Sequence, residues 1–129
     1  NAKTVHEFDY DSETGALARR RPFLNVRGES GIPDGLAVDA DGDVWSARWN
    51  GSAVVRYDAS ATERERVRFP AAKVSSVAFG GPEYRDVYVT TAGGDDRASE
   101  GAGAGALFRF RAPSGVRGTP PFRSAFPTE

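Results

Sequence analysis

The sequence predicts an all-β protein, and three observations support this. Apolar residues rarely recur at helical spacing, and glycine or proline interrupts nearly every window of about twelve residues. Short alternating runs bounded by turn residues are numerous instead. Related segments also return after about 40 to 50 residues, the length of one four-stranded blade in a β-propeller. The predicted architecture is therefore an arc of propeller blades.

The first half of the chain contains five of the predicted strands. The run 5–10 alternates apolar and polar residues, and a cluster of turn residues separates it from a returning strand at 16–24. The apolar runs 36–39 and 44–49 flank the turn sequence Asp41-Gly42. After Asn50-Gly51, which predicts a type I′ hairpin turn, the next strand covers 53–58.

Four further strands complete the prediction. The run 64–69 alternates charged residues with Val67 and Phe69. Three short runs rich in β-branched and aromatic residues follow it, at 77–79, 87–91 and 107–111.

The internal repeat is the main organisational signal. Equivalent segments are 36–38 and 77–79, 43–45 and 86–88, and 54–57 and 107–110, with 5–8 as a further copy of the last pair. The repeat predicts about two and a half to three blades. Residues 1–33 form the end of one blade, 34–73 a complete blade, and 74–129 the last blade with a glycine-rich insertion at 93–105. A β-sandwich of irregular hairpins is the alternative.

Composition narrows the classes of partner. The formal net charge is −1, without the basic stripe that nucleic-acid binding needs or the basic cluster that anchors proteins to membranes. No apolar run approaches the roughly 20 residues that cross a bilayer. The chain has no cysteine, which excludes disulfides and zinc–thiolate sites and favours a cytoplasmic location.

Asp34 is the principal candidate site residue. It lies between Pro33 and Gly35 at the start of a predicted inner strand, and inner strands line the axial channel of a propeller. A carboxylate held in that channel needs a cation or hydrogen-bond donors. Pro-Asp-Gly is also a common turn sequence, so an acid in a simple turn is the alternative.

The aligned position in the next blade is Ser75, followed by Ser76. These hydroxyl groups are weaker channel candidates, with ordinary turn residues as the alternative. His6, the only histidine, has no suggested catalytic partner, and Trp45 and Trp49 are expected to pack between blades.

Three other motifs have a structural interpretation. The acids of 39–43 lack the glycine and glutamate positions of an EF-hand loop, so a solvent-facing hairpin turn is expected. The sequon at 50–52 is interpreted as a turn. The glycine-rich segment 93–105 lacks the lysine and following helix of a phosphate-binding loop, and is expected to be a mobile loop that could overhang the channel.

The chain as a whole resembles the regucalcin/gluconolactonase family of sugar-lactone lactonases. The matching segments occur in order at 8–11, 32–39, 42–45, 56–58, 75–81, 87–90, 105–108 and 115–118. The resemblance implies a six-bladed propeller, of which this chain would be the C-terminal part. It also implies one divalent cation (Ca²⁺, Zn²⁺ or Mg²⁺) in the channel, bound by a glutamate, an asparagine and an aspartate. Only the aspartate maps onto this sequence, as Asp34.

The implied activity is metal-dependent hydrolysis of a sugar lactone by the complete propeller, with Asp34 as metal ligand and general base. The glutamate and asparagine ligands would precede Asn1. The implied partners are a small lactone and either the missing N-terminal half or a second copy of the chain. A non-catalytic propeller that binds a ligand or partner, and an inactive self-associating fragment, are the alternatives.

Overall fold

The computed structural model describes residues 3–122, which form three antiparallel sheets and one short helix. The strands are β1 Thr4–Tyr10, β2 Leu17–Asn25, β3 Ile32–Val38, β4 Val44–Trp49, β5 Ala53–Tyr57, β6 Glu63–Arg68, β7 Val74–Gly80, β8 Asp86–Thr91 and β9 Leu107–Arg111. The helix α1, Arg97–Glu100, lies between β8 and β9. The all-β prediction is confirmed.

Each sheet follows chain order. The sheets are β1-β2, β3-β4-β5-β6 and β7-β8-β9, which we call the first, second and third blades. Neighbouring strands are antiparallel and follow one another along the chain, and the longest connection is the helix-containing segment between β8 and β9. Each sheet is therefore a meander of the kind expected for a propeller blade. The second blade begins at Ile32, two residues before the predicted boundary, and residues 123–129 of the predicted last blade lie outside the described residues.

The larger core layer lies between the second and third blades. Trp45 is completely buried there and packs edge-on against Phe79, with ring centroids 5.6 Å apart. Val54 and Ala47 from the second blade meet apolar residues of β7, β8 and the segment after β9. Aromatic rings that pack in this way add to the free energy gained from burial. The expected role of Trp45 between blades is confirmed.

A smaller core layer joins the first blade to the second. Leu24 and Val26 pack on the face of β5 formed by Ala53, Val55 and Tyr57. Because side chains alternate along a strand, β5 presents one face to each neighbouring blade. The second blade is therefore buried on both sides.

The inner strands β3 and β7 run side by side. They approach most closely at Gly35, where an added Cβ would lie 2.6 Å from Ser76 Oγ and 2.7 Å from Ser76 Cα. Glycine is needed here because any side chain would clash. Within residues 3–122, no helix has the length and apolar character needed to cross a bilayer.

The connection between β4 and β5 differs from the predicted type I′ turn. Asn50 and Ser52 have positive φ, while Gly51 between them does not, although a type I′ turn needs two consecutive positive φ values. Gly51 is required for space, since an added Cβ would lie 2.6 Å from Arg48 Cβ and 2.8 Å from the Ser30 carbonyl oxygen.

The glycine-rich segment 93–105 also differs from its prediction, because it contains α1. The Asp96 side chain caps this helix by accepting a hydrogen bond from the Ser99 N–H. Backbone hydrogen bonds join the segment to the β6–β7 connection, from Ala72 N–H to the Glu100 carbonyl (2.7 Å) and from Gly103 N–H to the Pro70 carbonyl (2.7 Å). The loop is therefore attached to the body of the protein along its length.

Candidate functional site

Asp34 lies on a β-bulge of the inner strand β3. Pro33 pairs with Arg48 and Leu36 pairs with Ser46, so Asp34 and Gly35 together face a single residue of β4. A bulge turns a side chain away from the regular alternation of a strand and often occurs next to active sites. The strand begins at Ile32, before Asp34, whereas the sequence predicted a start at Leu36. The prediction was too short because the bulge interrupts the alternation of apolar and polar residues.

The Asp34 side chain is exposed, and it makes no hydrogen bond or ion pair with any residue in 3–122. The next two exposed residues of β3 are Leu36 and Val38, on the same strand face. An unpaired carboxylate beside apolar side chains has its acceptor oxygens available for a ligand.

Ser75 occupies the equivalent bulge of β7. Val74 pairs with Thr91 and Ser76 pairs with Thr90, which leaves Ser75 as the extra residue. Its hydroxyl lies 2.8 Å from Thr90 Oγ1, so Ser75 is engaged with its own sheet. Ser76 is exposed on the inner strand, beside Gly35. The structure therefore places Asp34 and Ser76 on adjacent inner strands.

The donor chemistry at Asp34 suits a hard cation, since a carboxylate is the ligand that Ca²⁺ and Mg²⁺ prefer. One carboxylate does not make a site, however. Among residues 3–122, no group of three His, Cys, Asp or Glu side chains could hold a metal ion. The part of the chain that the structure describes therefore fits such an ion through one ligand only.

The helix-containing loop lies at the same end of the second blade as Asp34. Trp49, the last residue of β4, pairs with Ile32 and forms a bridge with Lys73. The Lys73 ammonium lies 5.6 Å from the centre of the Trp49 ring and forms an ion pair with Glu100 of α1. That this loop overhangs the channel stays a prediction.

A buried charged cluster also lies in this region, and the sequence analysis missed it. Arg48, with no exposed surface, donates to Ser46 Oγ (2.9 Å) and to the Tyr57 hydroxyl. The same hydroxyl lies 3.4 Å from both carboxylate oxygens of Glu29, which also accepts from Arg66 at 2.8 Å. Burial raises the pKa of the Tyr57 hydroxyl, against the lowering effect of Arg48. An arginine inside an apolar strand gave the only sequence signal.

The turn at 39–43 is more than the solvent-facing hairpin expected. Asp39 is buried and accepts hydrogen bonds from Trp45 Nε1 (3.0 Å) and Arg56 Nε (2.8 Å). The Arg56 guanidinium also forms ion pairs with Asp41 (3.2 Å) and Asp43 (3.0 Å). Because a single arginine contacts all three carboxylates, this cluster holds the turn in one conformation.

His6 contacts Arg20 through its ring nitrogen at 3.2 Å and has no acidic partner among the described residues.

Comparison with known proteins gives consistent relatives. The family model described as SMP-30/gluconolactonase/LRE-like region matches residues 1–93. Pentonolactonase XacC of Haloferax volcanii is 49% identical over 130 residues, and regucalcin of Danio rerio is 39% identical over 122 residues. These matches cover 95% and 92% of this chain, and 44% and 41% of the respective relatives.

Solved structures agree with the sequence matches. A luciferin-regenerating enzyme superimposes with a TM-score of 0.78 at 30% identity, and a calcium-binding regucalcin of Agrobacterium tumefaciens with a TM-score of 0.79 at 28% identity. Each match covers 92% of this chain and 40% or 41% of the solved chain.

The chain thus spans less than half the length of the relatives that it matches. Its three blades form part of a six-bladed propeller, as the resemblance implied. The family expectation drawn from the sequence is also confirmed, and this chain belongs to the SMP-30/gluconolactonase/LRE-like family.

Proposed function

We propose that the complete propeller hydrolyses a sugar lactone at a divalent-cation site in its axial channel, and that this chain contributes Asp34 to that site. The observation that carries the proposal is the exposed Asp34 carboxylate, which lies on a bulge of an inner strand and has no partner within residues 3–122. Membership of a family that includes a pentonolactonase supports hydrolysis of a lactone, and a calcium-binding relative supports a cation such as Ca²⁺, Zn²⁺ or Mg²⁺.

Asp34 would have two tasks in this reaction. One carboxylate oxygen would hold the cation, which supplies Lewis-acid chemistry when bound. The other would accept a proton from the attacking water, as a general base does. The water oxygen adds to the lactone carbonyl carbon, the bond to the ring oxygen breaks, and that oxygen takes the proton back from Asp34 to become a hydroxyl group. The product is a hydroxy acid.

The serines would have lesser roles. The Ser76 side chain, exposed beside Gly35, could contact a polar substrate in the channel. Ser75 would act through Thr90 by keeping the neighbouring bulge in place. Because the two inner strands touch at Gly35, the bulges of both blades would face one channel wall.

Two open surfaces support a complete ring that is longer than this chain. A cavity of about 270 Å³ lies beside Leu36, Val38 and Phe23, between the first blade and the inner strand of the second. The two inner strands of a completed first blade would fill it. The outer edge of β9 pairs with no strand within residues 3–122, whereas β5 at the equivalent place pairs with β6. We propose that the remainder of the propeller covers both surfaces.

A cytoplasmic location also stays a prediction.

The test is Asp34→Ala in the complete protein, with Glu13→Ala, at an exposed acid outside the channel, as the control. Loss of the general base alone should lower kcat by about 10²- to 10⁴-fold, and loss of a ligand should weaken cation binding measured by calorimetry. Glu13→Ala should retain both. Unchanged cation affinity in Asp34→Ala, with the fold intact by circular dichroism, would contradict the proposal.

The unpaired β9 edge supports a second candidate: a non-catalytic chain that binds a partner strand or a second copy of itself. An exposed strand edge is a template for pairing with another chain. A lactone hydrolysis assay of the complete protein separates the two candidates, because the second predicts no turnover before any substitution is made.

A further inference from the structure

A second cavity, of about 550 Å³, lies at the end of the blades opposite Asp34. Its walls are the β7–β8 connection at 82–85, the segment 117–120 and Ala40. Ala40 lies just past the far end of β3, six residues after Asp34. The rise per residue of a strand therefore separates the two regions by roughly 16–20 Å. The cavity is therefore distinct from the proposed lactone site.

The walls of this cavity are fixed by backbone hydrogen bonds. Gly118 N–H donates to the Tyr84 carbonyl (2.8 Å), and Ala40 N–H donates to the Arg117 carbonyl (2.8 Å). Tyr84 has a φ of +54°, which is unfavourable for a residue with a side chain and needs a surrounding structure that holds it. The cavity is thus a built feature rather than a gap between loose loops.

Two arginines line the cavity without a carboxylate partner. Neither Arg85 nor Arg117 forms an ion pair with any residue in 3–122, whereas Arg48, Arg56 and Arg66 each have an acidic partner. Arg85 Nε has no hydrogen-bond acceptor among the described residues, a feature that it shares with Arg48 Nε. Because Nε is buried, an anion in the cavity would meet the terminal guanidinium nitrogens of Arg85 instead.

We propose that this cavity binds a small oxyanion, such as a phosphate group or a carboxylate, through Arg85 and Arg117. The planar guanidinium group presents parallel N–H donors that match two oxygens of such an anion. Tyr84 and Thr119, which each carry a hydroxyl group, also line the cavity. Glu83 also lines the cavity and opposes an anion, which gives the proposal a test of opposite sign.

The first experiment is calorimetric titration of the complete protein with inorganic phosphate and, separately, with acetate, at constant ionic strength. Arg85→Gln should weaken binding by about tenfold or more, since a hydrogen bond to a charged group is lost. Arg117 is exposed, so Arg117→Gln should fold normally and still weaken binding severalfold. Glu83→Gln should strengthen binding.

The controls are Arg68→Gln and Glu13→Gln, at exposed residues outside the cavity, which should leave binding unchanged. Binding of phosphate alone identifies a phosphate-bearing ligand, binding of acetate alone a carboxylate, and binding of both a general oxyanion site. No binding of either anion, or an equal loss in Arg68→Gln, overturns the proposal. Because this titration does not involve Asp34, its failure leaves the proposed lactone hydrolysis untouched.

Discussion

The second and third blades share one backbone design but fill it with different chemistry. Both inner strands carry a bulge at the same place. The bulge of β3 contains Asp34, which has no partner within residues 3–122, and the bulge of β7 contains Ser75, which bonds to Thr90. At the far end of the strand, the second blade has buried Asp39 bonded to Trp45. The third blade has Gly80 there, and an added Cβ would lie 2.9 Å from a ring carbon of Tyr88.

The same contrast continues along the outer strands. Tyr57, which contacts Arg48 and Glu29, corresponds to Phe110 in the repeat. Since the third blade forms the same meander without these charges, the fold does not require them. Buried ion pairs often add little stability compared with apolar packing, although breaking one partner is costly. We therefore expect the polar residues of the second blade either to serve function or to stabilise local structure.

The largest effect on stability is expected at Asp39. Asp39→Ala removes the acceptor of Trp45 Nε1, of Arg56 Nε and of the Asp41 and Asp43 N–H groups. Leaving these donors unpaired should lower the free energy of unfolding by about 3–5 kcal/mol. Urea denaturation monitored by circular dichroism measures it. The control is Asp86→Ala in the third blade, which breaks one exposed ion pair to Arg111 and should cost about 0–1 kcal/mol. Equal decreases in the free energy of unfolding of the two variants would show that the hydrogen bonds of Asp39 do not stabilise the turn of the second blade.

A smaller effect is expected where the two inner strands touch. Gly35→Ala places a Cβ 2.8 Å or less from three atoms of Ser75 and Ser76, so the strands must move apart. Overpacking of this kind should cost about 1–3 kcal/mol. Gly28→Ala is the matched control, because an added Cβ there meets nothing within 4 Å. If both variants unfold at the same urea concentration, the result contradicts the close contact between β3 and β7 at Gly35.

The smallest of the three effects comes from making the second blade like the third through Tyr57→Phe. Arg48 then loses its hydroxyl partner while buried, which should cost about 1–2 kcal/mol at neutral pH. The effect also has a pH signature. Because the folded pKa of Tyr57 is raised, the unfolded chain releases this proton first, and stability falls as pH rises above the ordinary value of 10.

Tyr57→Phe should remove that part of the alkaline loss of stability, measured as thermal unfolding temperature between pH 8 and about 11. Tyr10→Phe is the control, because Tyr10 is exposed and should leave the profile unchanged. An identical alkaline decline in Tyr57→Phe would mean that the hydroxyl is not held neutral by burial.

The fold was largely predictable because it depends on local patterns. Strand alternation and a repeat of about 40 to 50 residues are visible in the sequence, and β9 has the predicted bounds of 107–111. Strands β3 and β7 both begin earlier in the chain than the predicted runs 36–39 and 77–79. Each has a bulge, and an extra residue breaks the alternation by which a strand is recognised.

The candidate site was predictable only in part, for a related reason. Asp34 stands out because the Pro-Asp-Gly sequence is local, whereas the partners of Arg48 and Asp39 come from residues up to 19 positions away. Contacts of this kind depend on the register of several strands at once, which residue spacing does not reveal. Helix α1 was missed because its four residues are stabilised by a cap and by contacts to Pro70 and Ala72 rather than by an apolar face.

The two tryptophans of β4 make the second blade a natural optical reporter. Trp45 has no exposed surface and bonds to Asp39 at one end of the strand, whereas Trp49 is partly exposed and lies under Lys73 at the other. A soluble quencher should therefore reach the Trp49 indole and spare that of Trp45. Since Trp49 pairs with Ile32, two residues from Asp34, events at the channel end of the blade should alter the quenchable fluorescence first. The shielded fluorescence should change only when the blade itself opens.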